Sequence, residues 1–187
     1  MEGLVWVHNT FHQCGWLNET VKVITSLGDT AMVWIAIAVV MLFFRKTRNA
    51  AIVMLISLAI GYIVNDFVLK NIFERIRPFN ENMDFKIFLE SINMELPSGF
   101  SFPSGHTFSS FNCAIILMCF NKKFGYFALP LASLIALSRI YLCVHYPTDV
   151  LAGVILGAVT ALLVFYAYKV VMKIIKKYKR EFIRSKN

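Results

Sequence analysis

The sequence predicts an all-α integral membrane helical bundle, with about five transmembrane helices and an N-terminal interfacial helix. Three observations predict it. Hydrophobic residues make up 58% of the 187 residues and the mean hydropathy is +0.63, an apolar load that soluble domains of this length do not carry. The apolar residues fall into five segments, each near the ~20 residues a helix needs to cross a bilayer. Basic clusters stand at segment ends, as Arg45-Lys46-Thr47-Arg48 and Lys122-Lys123 do. The length suits one domain over residues 1–187.

Residues 1–23 mix Trp6, Phe11 and Trp16 with polar side chains. Tryptophan favours the membrane boundary, so an amphipathic interfacial helix is expected here. His8 and His12 share a helix face but have no third ligand, and they read as interfacial. No cleavable signal peptide is visible, because the start is not basic and polar residues interrupt the apolar stretch. Spans are expected over about 24–44, 50–70, 104–121, 125–144 and 148–172. The connection over 71–103 is long for a linker and suits a binding segment or lid. Within it, Phe85-Lys-Ile-Phe88-Leu89 either dips into the membrane or stays in water. Gly153 and Gly157 form a small-xxx-small pair that lets membrane helices approach closely within one bundle.

Loop charge orients the bundle. With the Arg45–Arg48 loop in the cytoplasm, Lys122-Lys123 and the basic tail over 173–187 also fall inside. Only Lys22, Lys70, Arg75, Arg77, Lys86 and Arg139 of the nineteen Lys and Arg fall outside. This is the positive-inside pattern, with an extracytoplasmic N-terminus and a cytoplasmic C-terminus. The net charge of +8 reads as an anchor on anionic lipid. No base-stacking or groove-reading element accompanies it, so no nucleic-acid partner is expected. The four cysteines form no CxxC pair or disulfide framework.

Three strings at segment ends then fall on the outer face. The first is Lys70-Asn-Ile-Phe-Glu-Arg-Ile-Arg77-Pro78. Lys70 and Arg77 are two helical turns apart and can share a face, offering a point charge and a planar fork to phosphate; as a bare pair they also suit interfacial snorkelling. The second is Pro103-Ser104-Gly105-His106, ahead of an apolar run. Backbone N–H groups at such a helix start bind anions, and His106 is within reach of a leaving oxygen; an ordinary capped turn would look the same. Pro97-Ser98-Gly99 repeats these residue types without the histidine and reads as a plain turn. The third is Ser138-Arg139 with His145 and Asp149. A carboxylate holding one imidazole nitrogen frees the other to attack, although Asp149 could instead simply cap a helix. Metal binding is the rival reading of His106 and His145, but clustered ligands are lacking. Asp66, Glu74 and Arg75 flank the first string and receive no role.

Together the strings resemble the type 2 phosphatidic acid phosphatase superfamily: Lys, six residues, Arg-Pro; then Pro-Ser-Gly-His; then Ser-Arg, five residues, His, three residues and Asp. Every position is filled, over about 70–157. The stretch His145-Tyr-Pro-Thr-Asp149-Val-Leu-Ala-Gly153 resembles the bacterial membrane members. The resemblance implies that His145 attacks phosphorus and becomes a phosphohistidine, that Asp149 orients it, and that His106 protonates the leaving group and then activates water. Lys70, Arg77, Ser104, Gly105 and Arg139 would hold the phosphate oxygens, with no metal and no cofactor. Histidines starting in opposite protonation states imply a bell-shaped pH profile. The implied substrates are membrane lipid phosphates such as undecaprenyl pyrophosphate, phosphatidylglycerophosphate or phosphatidic acid, handled in a bacterial plasma membrane. The same pocket would serve a phosphoryl transferase between lipids. A vanadate-dependent haloperoxidase shares the pocket but is typically soluble. A non-catalytic lipid-binding or transport protein is the alternative outside enzymology.

Overall fold

The computed structural model describes residues 1–184, so the last three residues of the basic tail expected over 173–187 lie outside the described residues. Ten helices follow in order: α1 (Glu2–Phe11), α2 (Gly15–Ser26), α3 (Met32–Leu42), α4 (Arg48–Tyr62), α5 (Lys70–Phe73), α6 (Pro78–Glu81), α7 (Met83–Ser91), α8 (Gly105–Phe120), α9 (Lys122–Tyr141) and α10 (Pro147–Arg184). A π-helical stretch, Ile63–Leu69, joins α4 to α5. Among the described residues there is no strand.

Among the described residues, three stretches are long and apolar enough to cross a membrane: Arg48–Glu81, Lys122–Tyr141 and Pro147–Arg184. The number reaches four if one bent helix pair counts as a single span. The apolar run expected over 24–44 as one helix is divided between α2 and the Asp29–Leu42 stretch, which meet at 49°. The break sits at a 3₁₀ turn, Asp29–Ala31, where Thr30 and Ala31 adopt left-handed backbone with φ of 49° and 56°. Such conformations are uncommon away from glycine and end a right-handed helix. The third expected span is α8, with only 16 residues; at 1.5 Å per residue it covers about 24 Å.

Residues 1–23 form two helices rather than one, because the chain turns between Phe11 and Gly15. The His12 side chain is buried within the protein. Its ring stacks on Phe88 with centroids 3.5 Å apart, and its Nε2–H donates to the Tyr141 carbonyl at 2.6 Å. The connection over 71–103 folds into α6 and α7, α7 being capped by Asn82, whose Oδ1 accepts from the Asp84 N–H. Phe85 and Leu89 neither dip into lipid nor stay in water. They pack with Leu4, Phe79, Leu142 and Val144 in a compact apolar cap over one end of the bundle.

Helix α8 is the central column, packed by α4, α9 and α10. The close approach of α10 requires its two small residues. A Cβ on Gly157 would lie 2.4 Å from the Phe108 carbonyl oxygen, and one on Gly153 would lie 2.9 Å from that of Ser104. Gly157→Leu is therefore expected to cost about 3 kcal/mol, since overpacked backbone must move. Thermal unfolding in detergent checks this: the midpoint falls if the helices pack as described and stays put if they do not. The core between α3, α4, α8 and α9 is built from Trp34, Met54, Ile116 and Ile135, and Trp34 Nε1–H donates to Ser110 Oγ at 3.0 Å. Large apolar side chains face outward in stripes, Ile52-Ile56-Ile60 on α4 and Leu151-Ile155-Val159 on α10. Apolar outside with small residues between helices is the pattern lipid selects.

Candidate active site

The three strings converge at the capped end of the bundle. Lys70, Arg77, Gly105, His106, Arg139 and His145 line one cavity of about 1200 Å³. Ser104 and Asp149 sit behind its wall, both fully buried.

His145 follows α9 in the short turn before α10 and is almost fully buried. Arg77 Nη1 approaches its Nε2 at 3.3 Å. A guanidinium can only donate, so Nε2 presents a lone pair and the ring proton is on Nδ1. That proton points at Ser101 Oγ, 3.3 Å away, and at Asp149 Oδ2, 3.6 Å away. Ser101 in turn donates its hydroxyl to Asp149 Oδ2 at 2.5 Å. The histidine is thus oriented by a serine and a carboxylate acting together. Burial, opposed by the hydrogen-bonding Asp149 and reinforced by Arg139 and Arg77, pulls His145 well below the ordinary histidine range. The ring is neutral at neutral pH with Nε2 unprotonated.

Asp149 does cap α10, since its Oδ2 also accepts from the Tyr146 N–H at 2.9 Å. The same oxygen that meets the helix start lies 3.6 Å from His145 Nδ1. Its Oδ1 accepts from Arg75 Nη1 at 2.7 Å. Arg75 further bonds Thr148 Oγ1 at 2.7 Å and lies 3.9 Å over the Tyr146 ring.

Arg77 is fixed by three carbonyls: its Nε donates to Gly99 at 2.9 Å, Nη2 to Ser98 at 3.1 Å and Nη1 to Val144 at 3.2 Å. The turn Pro97-Ser98-Gly99 therefore has a use, which is to hold this guanidinium. Gly99 is left-handed, with φ of 71°, where glycine avoids the strain of a side chain. Arg139 is buried with Nη1 donating to Thr25 Oγ1 at 2.5 Å, while its Nε–H has no partner among the described residues. A buried unsatisfied donor on a cation is costly and suits an anion to come.

Lys70 pairs with Asp66 one turn earlier. A Cβ on Gly105 would lie 3.8 Å from Lys70 Nζ and 3.4 Å from Asn65 Nδ2, so the ammonium and the start of α8 face each other across a gap that glycine keeps open. Ser104 Oγ accepts from Thr107 Oγ1 at 3.1 Å. Among the described residues, no three His, Cys, Asp or Glu side chains gather as a metal site.

Sequence reasoning missed Ser101 and Arg75. Ser101 stands three residues before Ser104, outside the string, and serine alone carries no signal. Arg75 was visible as a cation in the first string, but its carboxylate partner is 74 residues away.

The sequence matches a known family model, that of the PAP2 superfamily, over residues 50–173. The chain belongs to the PAP2 superfamily. This PAP2 chain is 33% identical over 180 residues to phosphatidylglycerophosphatase B of Bacillus subtilis, covering 89% of this chain and 80% of that one. It is 31% identical over 149 residues to an undecaprenyl-diphosphatase of Sulfolobus acidocaldarius, covering 79% and 69%. The crystal structure of a transmembrane PAP2 type phosphatidylglycerolphosphate phosphatase from Bacillus subtilis superposes with a TM-score of 0.63 at 31% identity, covering 82% of this chain and 77% of that one. The PAP2 chain is an integral membrane enzyme of the phosphatase type.

Proposed function

We propose that the chain hydrolyses a membrane lipid phosphate or diphosphate through a phosphohistidine on His145, on the extracytoplasmic face. The observation that carries this is the lone pair of His145 Nε2, held toward a cavity ringed by Lys70, Arg77 and Arg139. Phosphoryl transfer needs spread positive charge about the equatorial oxygens and a nucleophile in line with the leaving oxygen. Lys70, Arg77, Arg139 and the backbone N–H groups starting α8 supply the first. His145 supplies the second.

In the first half-reaction Nε2 bonds phosphorus and the P–O bond to the lipid oxygen breaks. Protonated His106 gives that oxygen its proton. In the second, neutral His106 takes a proton from water, the water oxygen bonds phosphorus, and the P–N bond breaks to release phosphate.

The cavity also supports a lipid substrate. Beyond the cations it continues along Ile35, Leu55, Leu58 and Ala59 between α3 and α4. That apolar arm suits a prenyl or acyl chain beside a charged headgroup. The names of the relatives point to undecaprenyl diphosphate or phosphatidylglycerophosphate, and phosphatidic acid shares the same phosphate chemistry. The distribution of Lys and Arg supports the extracytoplasmic placement.

Phosphate release by the purified protein in detergent, measured on these three lipids with excess chelator, tests the reading. Turnover is expected, and the ranking of rates names the headgroup. A folded protein that releases phosphate from none of them defeats the hydrolase and favours transfer to a second lipid or simple binding. Release of phosphate from an impermeant short-chain substrate outside sealed right-side-out vesicles tests the face.

A further inference from the structure

The carboxylate of Asp29 reaches the cavity from a part of the chain that carries none of the three strings. Asp29 lies in the bend between α2 and α3, and its Oδ1 is 2.8 Å from His106 Nε2. Two features shape the bend around the imidazole. Thr30 and Ala31 are both left-handed, which turns the chain at this point. The preceding Gly28 is pressed on the ring: a Cβ there would lie 2.6 Å from His106 Cδ2 and 2.8 Å from Ile135 Cγ2. The other ring nitrogen, Nδ1, is engaged by no group among the described residues, and His106 lines the cavity.

We propose that Asp29 is the positioning residue of His106: it anchors Nε2, leaves Nδ1 facing the substrate, and stabilises the imidazolium that the first half-reaction consumes. This rests on the phosphatase reading above. When the P–O bond breaks, the Nδ1 proton passes to the lipid oxygen and the electron pair stays on Nδ1. The remaining proton is on Nε2, where Asp29 accepts its hydrogen bond. In the second half-reaction the Nδ1 lone pair takes a proton from water as the water oxygen bonds phosphorus, and the imidazolium is restored. Asp29 thereby fixes the tautomer for both steps, because a carboxylate can only accept from Nε2–H. The other charges facing His106 are Arg139 on α9 and Lys70 on α5. Both are cations, and Asp29 is the anion that faces the ring. The active site then holds two histidine–aspartate couples, His145 with Asp149 and His106 with Asp29.

A purely structural ion pair predicts something different. The Asp29 side chain is 55% exposed, and such pairs contribute little to folding. Asp29→Asn should therefore fold as the wild type does. In the full chain in detergent, it is expected to lower kcat about tenfold or more, with KM changed less than about threefold. The alkaline limb of the pH profile should move down by roughly one unit or more, because an imidazolium that loses an adjacent anion releases its proton more easily. Asp29→Glu should recover part of the rate. In a His106→Gln background, Asp29→Asn should add no further loss. Ring ¹⁵N chemical shifts, with the His106 signal identified by its absence in His106→Gln, follow the same couple without turnover: the titration midpoint should fall in Asp29→Asn. Wild-type kcat with an unmoved alkaline limb, an equal fractional loss in both backgrounds, or an unmoved His106 midpoint would overturn the proposal. A wild type inactive on every lipid phosphate would defeat the phosphatase reading instead, and the midpoint would still decide the Asp29 contact.

Discussion

Replacing His145 by alanine is expected to lower phosphate release by at least about 10⁴-fold, as removal of a covalent nucleophile does elsewhere. The cations and the helix start proposed to hold phosphate remain, so substrate affinity should survive, and the variant should bind a lipid phosphate without consuming it. The fold should also survive. Asp149 keeps its bonds to Arg75, Ser101 and the Tyr146 N–H, and Arg77 keeps its three carbonyls. Phosphate release and lipid binding, measured on the same preparation, check both halves. Retained turnover would remove His145 from the chemistry.

The pH dependence of the wild type follows from the same residue. The folded protein holds His145 neutral below the ordinary value of 6.5. Protonation that would block Nε2 therefore begins at lower pH than in a free histidine. The acid limb of activity is expected below pH 6.5, with the nucleophile intact throughout the neutral range. The stability sign is the same: this group favours the folded state above its unfolded value and weakens it as pH falls, because the unfolded chain takes up the proton first. A pH–rate profile of kcat/KM locates the limb, and an acid limb above 6.5 would contradict the buried neutral ring.

Much of the candidate site was legible because it gathers rare residue types that stand at fixed local spacings. Lys70 to Arg77, Ser104 to His106 and His145 to Asp149 are short-range patterns, and each sits where an apolar segment ends. What the sequence hid is long-range. Asp29 lies inside an apolar run that reads as one continuous helix, and the bend that turns it toward His106 depends on left-handed backbone at Thr30 and Ala31, residues with no such preference. Ser98 and Gly99 look like a spare copy of the second string until the fold brings their carbonyls to Arg77. The apolar stretch Phe85 to Leu89 could not be placed from periodicity, because its partners Leu4 and Leu142 are distant in sequence on either side of it. Bundle membership was readable from hydropathy. The bend and the cap were not, because tertiary packing selects them.

Asp149→Asn is expected to lower kcat by about 10³- to 10⁴-fold with little change in KM, the scale seen when an orienting aspartate behind a catalytic histidine becomes an amide. Every hydrogen-bonding neighbour of the carboxylate donates to it: Arg75 to Oδ1, Ser101 and the Tyr146 N–H to Oδ2. An amide must turn its NH₂ toward one of these sides. Facing Arg75, it sets donor against donor and loses the ion pair. Facing Ser101, it makes the serine accept, and the serine hydroxyl then turns to donate to His145 Nδ1. The ring proton moves to Nε2, and the nucleophilic lone pair is lost although every heavy atom stays in place. The stability cost should be smaller than for breaking a fully buried pair, since the Arg75 side chain is 37% exposed and solvent can screen it. Ser101→Ala separates the contributions, because it removes the relay and leaves the carboxylate 3.6 Å from Nδ1. Single-turnover kinetics on all three proteins decide the matter. A loss in Asp149→Asn below about tenfold would mean that Ser101 alone sets the tautomer, whereas a large loss in Asp149→Asn beside a modest one in Ser101→Ala assigns it to the carboxylate.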